Sequence, residues 1–85
     1  MENRVAVMSI IVEDARSVEP LNTLLSEYRD YVIGRMGIPH RAKNINIISI
    51  AIDAPQDAIS ALSGKIGNLP GISVKTAFSA VKADG

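Results

Sequence analysis

Two runs of strand length, Arg4–Val12 and Ile45–Ile52, are apolar at nearly every position and so on both of their faces. Only Asn46 and Ser49 interrupt the second run. A strand that is apolar on both faces lies in the middle of a sheet whose two sides are both covered. Val and Ile together outnumber Leu nineteen to five, which favours a core built from strands. The two runs therefore predict the central strands of one sheet.

Two further segments predict the outer strands. Ile72–Ser79 alternates in polarity, with Ile72, Val74, Thr76 and Phe78 on one face, as expected for a half-solvated edge strand. The shorter β-branched segment Tyr31–Met36 supplies a fourth strand.

Two amphipathic helices are predicted between these strands. The first has Ser17 as its N-cap and apolar residues at helical spacing, namely Val18, Leu21, Leu24, Leu25 and Tyr28. The second follows Asp53-Ala54-Pro55 and ends at Gly67-Asn68, with Ile59, Leu62, Ile66 and Leu69 on its apolar face.

The order strand, helix, strand, strand, helix, strand predicts an α+β, ferredoxin-like βαββαβ domain that spans residues 1–85. Its four-stranded antiparallel sheet has the order 4-1-3-2, which puts the first and third strands in the centre. Right-handed crossovers place both helices on the same side of the sheet. The other side of the sheet has no helix to cover it.

The uncovered side is predicted to be apolar. We expect Met8, Ile10, Val12, Ile48, Ile50 and Ile52 to face the helices, and Val5, Val7, Ile11, Ile45 and Ile47, together with Ser9 and Ala51, to lie on the uncovered side. So large an apolar patch exceeds what a soluble monomer normally exposes, so these residues are candidates for the interface of a homodimer or homotetramer. The alternative is that the two faces are assigned the wrong way round.

The segment Gly34–Arg41 is the most distinctive one in the chain, and we expect it to be a shaped loop between the second and third strands. Glycine allows close approach of backbone N–H groups to a ligand, and arginine binds carboxylate or phosphate through two hydrogen bonds. The candidate ligand-binding residues, for a small anion, are Arg35, Gly37, His40 and Arg41. The alternative is a solvated loop whose charges only mark exposed surface.

Several classes of function are disfavoured by composition. The chain has no Cys and one His, so thiolate metal sites, cysteine nucleophiles and catalytic triads are not supported, and no metal or cofactor is expected. Nine Lys and Arg balance nine Asp and Glu, so direct nucleic-acid binding is not expected. No apolar stretch is long enough to span a membrane, and with no export signal and no Cys we expect a cytoplasmic protein.

Segments along most of the chain resemble the iron-only hydrogenase system regulator family. The resemblance rests on the stretches Glu27–Pro39, Ile45–Ser49, Asp53–Asp57, Leu62–Lys65 and Leu69–Thr76. It implies a fold similar to ACT-type small-molecule-sensing domains and to the regulatory domain of the nickel-responsive repressor, which assemble through their sheets. The Cys that the nickel repressor carries near its third strand is missing from Asn44–Ile47, and the Gly of amino-acid-binding ACT domains is missing from Glu13–Ser17. Nickel binding and amino-acid binding are therefore not carried over, and a DNA-binding segment like the one that precedes the nickel repressor's sensor is not expected.

The sequence and the resemblance together predict a non-catalytic, oligomeric regulatory module associated with the iron-only hydrogenase system, which senses a small molecule. The alternative is a structural or adaptor oligomer that binds a protein partner and no small molecule.

Overall fold

The computed structural model describes residues 2–81 and contains the six expected strands and helices in the expected order. The strands are β1 (Asn3–Val12), β2 (Val32–His40), β3 (Ile45–Pro55) and β4 (Ile72–Phe78). The helices are α1 (Val18–Glu27), between β1 and β2, and α2 (Gln56–Gly67), between β3 and β4.

The four strands form one antiparallel sheet in the order β2-β3-β1-β4. This is the predicted order 4-1-3-2 read from the other edge, and the predicted ferredoxin-like fold is confirmed. The central pair, β1 and β3, is in register from Asn3 opposite Pro55 to Val12 opposite Asn46. The third strand therefore continues three residues beyond the predicted end at Ile52.

The core lies between one face of the sheet and the two helices. From Val5 to Val12 of β1, the residues at even positions are buried and those at odd positions are exposed, because successive side chains of a strand point to opposite faces. The predicted division of the two faces is correct, and Met8, Ile10, Ile50 and Ile52 are all fully buried. The helices close this core with Leu21, Leu25, Ile59, Leu62 and Ile66.

Ser17 does not have its predicted role as the N-cap of α1. Its side chain makes no cap hydrogen bond; the buried hydroxyl instead donates to the backbone carbonyl of Pro70, at the turn before β4. A 3-10 turn, Ala15–Ser17, leads into the helix, and Asp14 caps this turn by accepting from the Arg16 N–H at 2.9 Å. The hydrogen bonds from Arg16 hold the pKa of the Asp14 carboxyl below its usual value.

The largest difference between expectation and structure lies in the segment Gly34–Arg41, which was expected to be a loop. Gly34 to His40 belong to β2 and pair with β3, and the chain turns only at a 3-10 segment, Arg41–Lys43, followed by Asn44. Asn44 has φ 56° and ψ 43°, a left-handed conformation that Asn tolerates well and that closes the turn. Gly and Pro were interpreted as loop residues, but both are accommodated in an edge strand such as β2.

We predict that replacing Thr76 by valine stabilises the fold. The Thr76 hydroxyl is buried, and none of the residues that the structure describes makes a hydrogen bond with it. Removing an unpaired buried polar group while keeping a β-branched shape should raise the free energy of unfolding by about 1 kcal/mol. Chemical denaturation measures the change. Thr23→Val is the control, since the Thr23 hydroxyl donates to the Glu19 carbonyl, and a similar gain there would contradict the explanation.

Candidate functional site

A cleft separates α1 from the edge strand β2, and it forms because of the residue types that β2 presents to the helix. The residues that β2 presents to the helix side are Arg35, Gly37 and Pro39, as their register with β3 shows. None of them supplies a bulky aliphatic side chain, so the space beside α1 is not filled. A Cβ added at Gly37 would meet no atom within 4 Å.

The cleft has two connected parts that share Asn22 and Arg35. The first part, about 270 Å³ in volume, is mainly apolar and lies beside Val18, Leu21, Gly37, Pro39 and Ile48. The second part, about 330 Å³ in volume, lies beside Leu25, Ser26, Arg29, Val32 and Ile50. Where the two parts meet, the Arg35 Nη2 donates a hydrogen bond of 3.0 Å to the Asn22 Oδ1. We refer to the two parts together as the α1–β2 cleft.

The α1–β2 cleft carries positive charge. Arg29 and Arg35 both line its second part. Within residues 2–81, the ion pair that the structure contains is the one between Arg16 and Asp14, so neither cleft arginine has a carboxylate within 4.0 Å. Acidic residues do lie nearby, because Glu19, Glu27 and Asp30 line an open groove on the outer side of α1 together with Arg29. Two guanidinium groups beside an apolar space suit a small anion that also carries an apolar group.

The structure separates the four residues predicted to bind an anion. Arg35 and Gly37 lie in the α1–β2 cleft. His40 lies on the opposite face of the sheet, because it pairs with Ile45 at the end of β2, and Arg41 is an exposed residue of the following turn. Arg35 therefore shares the cleft with Arg29 and not with Arg41, and anion binding by any of the four residues stays a prediction.

Arg29 and Asn22 were missed as candidate site residues. A signal for them exists in the sequence, since Asn22, Ser26 and Arg29 follow one another at spacings of four and three residues, as on one face of a helix. In the structure α1 ends at Glu27, and Arg29 begins a 3-10 turn, Arg29–Tyr31, that directly follows it. All three line the cleft. The apolar residues of α1 indicate its buried face, and the prediction of the helix rests on them alone and not on the polar residues beside them, Asn22 and Ser26.

The second notable surface is the side of the sheet that faces away from the helices, which we call the open face. Its exposed apolar residues include Val5, Val7, Ile11 and Ile47, which are between 37% and 42% exposed, and Met36 and Ile38 on β2, at 54% and 47%. Ile45 and Ala51 lie on it too and are half-buried. The predicted interface residues, Val5, Val7, Ile11, Ile45 and Ile47, thus all lie on the open face, and their contact with a second copy stays a prediction.

Two other polar clusters are structural in character. The Arg4 guanidinium donates to the Gln56 side chain and to the Ser79 carbonyl, and it lies 4.5 Å from the centre of the Phe78 ring. On the helix side, the Lys65 Nζ donates to the Tyr28 hydroxyl at 3.2 Å, and this hydrogen bond raises the pKa of Lys65.

Among residues 2–81 no group of three His, Asp or Glu side chains is placed to hold a metal ion. In the same part of the chain, neither helix combines the length and hydropathy needed to cross a membrane.

Comparison with known proteins identifies the family. A family model described as "TM1266-like: Iron-only hydrogenase system regulator, putative" matches residues 4–76. The chain belongs to the TM1266-like family. The resemblance stated from the sequence is thereby confirmed, and the matched region contains every residue of the α1–β2 cleft.

Solved structures agree with membership of the TM1266-like family. The uncharacterized protein TM1266 from Thermotoga maritima superimposes with a TM-score of 0.87 at 33% sequence identity, covering 91% of this chain and 98% of that one. A comparison with curated proteins gives no match.

Two distant structures share only the fold. A formyltetrahydrofolate deformylase from Pseudomonas putida KT2440 gives a TM-score of 0.62 at 14% identity, covering 86% of this chain and 28% of that one. A protein described as unknown from Galdieria sulphuraria gives 0.63 at 15% identity, with 94% and 47% covered.

Proposed function

We propose that this TM1266-like chain is a non-catalytic regulatory module of the iron-only hydrogenase system that senses a small anion in its α1–β2 cleft. The observation that carries the proposal is the pair Arg29 and Arg35, which line one cleft without a carboxylate partner among the described residues. The family description supports the regulatory role, and the proposal adds the ligand class and its place.

The composition of the cleft indicates what kind of anion fits. Hydrogen bonds to a charged group contribute about 1.5 to 3 kcal/mol each, and Arg29 and Arg35 offer several donors. The apolar first part of the cleft, beside Leu21, Gly37 and Ile48, has room for a short aliphatic or ring portion of the ligand. A carboxylate or phosphate metabolite with an apolar group therefore fits the cleft better than an inorganic anion does.

Assembly is the second part of the proposal. The exposed Val5, Val7, Ile11 and Ile47 on the open face support a homo-oligomeric module. We place this module in the cytoplasm because its sequence contains no Cys. Because the open face and the α1–β2 cleft lie on opposite sides of the sheet, a ligand in the cleft and a partner on the open face do not compete for surface. The zero net charge supports regulation without direct contact to DNA.

An adaptor that binds a different protein and no small molecule is the second candidate, and the open face is the observation that favours it. The two functions differ at the cleft, because an adaptor does not need unpaired arginines there.

We predict that a carboxylate or phosphate compound raises the melting temperature of the protein and that Arg35→Ala and Arg29→Ala each abolish the shift. Each variant removes one guanidinium from the α1–β2 cleft, and losing a charge-assisted hydrogen bond should weaken binding by about tenfold or more. Thermal-shift screening finds the compound, and isothermal titration calorimetry measures its affinity.

Arg41→Ala is the matched control, since Arg41 is exposed in the β2–β3 turn outside the cleft, and it should leave binding unchanged. Gly37→Val should block binding by filling the cleft while leaving the fold intact, because a side chain there meets open space and valine suits a strand. If no compound shifts the melting temperature, or if a compound binds Arg35→Ala and Gly37→Val as well as the original protein, the adaptor function is favoured instead.

A further inference from the structure

The open face is not uniform, and its side chains change in size along the strands. Cross-strand pairing arranges the face in three rows that run across all four strands. The isoleucine row consists of Ile38, Ile47, Ile11 and Ser73; the serine row of Met36, Ser49, Ser9 and Lys75; and the small row of Gly34, Ala51, Val7 and Ala77. On β3, the open face is therefore raised at the isoleucine row and low at the small row, with the serine row between them. Val7 is the larger member of the small row, and the long side chains of the serine row, Met36 and Lys75, lie on the edge strands β2 and β4.

From this gradient we infer that two copies of the chain pack open face to open face about a two-fold axis that runs along the serine row. Such an axis reverses the strand direction of the second copy. It places the isoleucine row of each copy on the small row of the other, with Ile47 over Ala51, Ile38 over Gly34 and Ile11 over Val7. Each of these contacts occurs twice, once on either side of the serine row, as a two-fold interface requires.

The other simple arrangement, an axis parallel to the strands, packs poorly. It places the isoleucine row of one copy on the isoleucine row of the other and leaves the small rows facing each other across a void. Voids forfeit dispersion contacts and are rare in well-packed interfaces. Side-chain size thus selects the axis along the serine row.

The placement of charge agrees with this choice. The two central strands carry no charge in the rows at and beside the axis. Lys75, at the end of the serine row on the edge strand β4, lies opposite its own copy, but at this rim both ammonium groups reach solvent, where their repulsion is screened. Asp53 and His40 lie near opposite ends of the face, since Asp53 pairs with Val5 and His40 pairs with Ile45. The inferred axis brings Asp53 of one copy over Ile45 of the other, next to His40, so that a carboxylate meets an imidazole that can donate to it.

The size of the face sets the expected strength. Four strands about 4.8 Å apart and about eight residues long at 3.3 Å each cover roughly 500 Å² per copy, or about 1,000 Å² in total. That total is at the lower limit for a specific interface, so we expect a dimer with a dissociation constant in the micromolar range. The inference rests on the assembly part of the proposed function and not on its anion site.

A swap of large and small residues tests the geometry. Ile47→Ala removes part of the raised row and Ala51→Ile fills part of the hollow, so each should weaken the dimer about tenfold or more. The double variant Ile47→Ala, Ala51→Ile exchanges the two sizes and restores the fit, so its dissociation constant should return to within about threefold of the original. Analytical ultracentrifugation over a dilution series gives these constants, and circular dichroism confirms that each variant is folded.

Engineered cysteines give a second readout in a chain that has none of its own. Ser49→Cys lies on the inferred axis, where the two facing backbones are about 10 Å apart, too far for a direct disulfide, so a short bis-maleimide linker should join the two thiols and give a cross-linked dimer. Ile47→Cys should not be cross-linked, because the two copies of Ile47 are offset by about 13 Å along the sheet in addition to the separation between the sheets, beyond the reach of the same linker.

Any of three results would overturn the inference. The first is a monomer at about 100 μM, a concentration at which a micromolar dimer is formed. The others are a double variant that dimerises as weakly as the single variants, and a dimer that is cross-linked through Ile47→Cys and not through Ser49→Cys. A monomer that still binds an anion through Arg35 would leave the proposed sensing site standing.

Discussion

Ile10→Ala is expected to lower the free energy of unfolding by about 2 to 5 kcal/mol, a large fraction of the 5 to 15 kcal/mol typical of a whole domain. Ile10 is fully buried between the sheet and the helices. The substitution removes apolar area from the core and leaves a cavity that its neighbours cannot fill. Urea denaturation measures the loss, and the melting temperature should fall by about 10 °C or more.

Ile11→Ala is the matched control, because the adjacent residue has the same side chain on the opposite face of the sheet. Ile11 is 42% exposed on the open face. At a dilution where the chain is monomeric, this substitution should change stability by less than about 1 kcal/mol. An equal loss for Ile10→Ala and Ile11→Ala under those conditions would mean that the core is not where the structure places it.

Gly71→Ala is expected to destabilise the fold by at least about 2 kcal/mol. Gly71 has φ +67°, which non-glycine residues rarely adopt, and its carbonyl accepts a hydrogen bond of 2.7 Å from the Glu13 N–H. A Cβ at this position would lie 2.5 Å from the Asp14 Cβ and 3.0 Å from the Asp14 backbone nitrogen. Because the Asp14 nitrogen belongs to the backbone, the close contact is relieved only if the segments that contain Gly71 and Asp14 move apart. Thermal denaturation gives the size of the effect.

The same substitution at another glycine separates conformational strain from the loss of a glycine as such. Gly64 lies within α2, and a Cβ there meets no atom within 4 Å. Gly64→Ala should stabilise the protein by about 0.5 to 1 kcal/mol, since alanine favours helix. If Gly71→Ala were as stable as Gly64→Ala, the close approach at the Asp14 turn would be refuted.

The sheet order and the division of its faces follow from the sequence, because both depend on hydrophobic pattern. The apolar runs that became β1 and β3 have no alternative position in a four-stranded sheet, and the two-residue period within each run separates Ile10 from Ile11. The helices were located for the same reason, since their apolar residues recur at helical spacing.

The strand predicted to end at Met36 continues to His40, because local composition and tertiary context disagree there. Its Gly and Pro residues favour a turn, whereas pairing with β3 extends the strand to His40 and moves the turn to Asn44. This shift also changes which residues lie beside Arg35. Arg35 became a strand residue facing α1, and its neighbour in space is Arg29, a relation that spacing along the chain does not reveal.

The ends of β2 also limit how the sheet grows. Pro39 pairs with Asn46 of β3 but has no N–H, so the outer edge of β2 lacks a hydrogen-bond donor there. At the other end, the register shifts between Val32 and Gly34, and the exposed Ile33 interrupts the edge. Irregular edges of this kind prevent a strand of another molecule from adding to the sheet. Open-ended, fibre-like growth through this edge is therefore disfavoured, and a strand of another molecule is not expected to extend the sheet at β2.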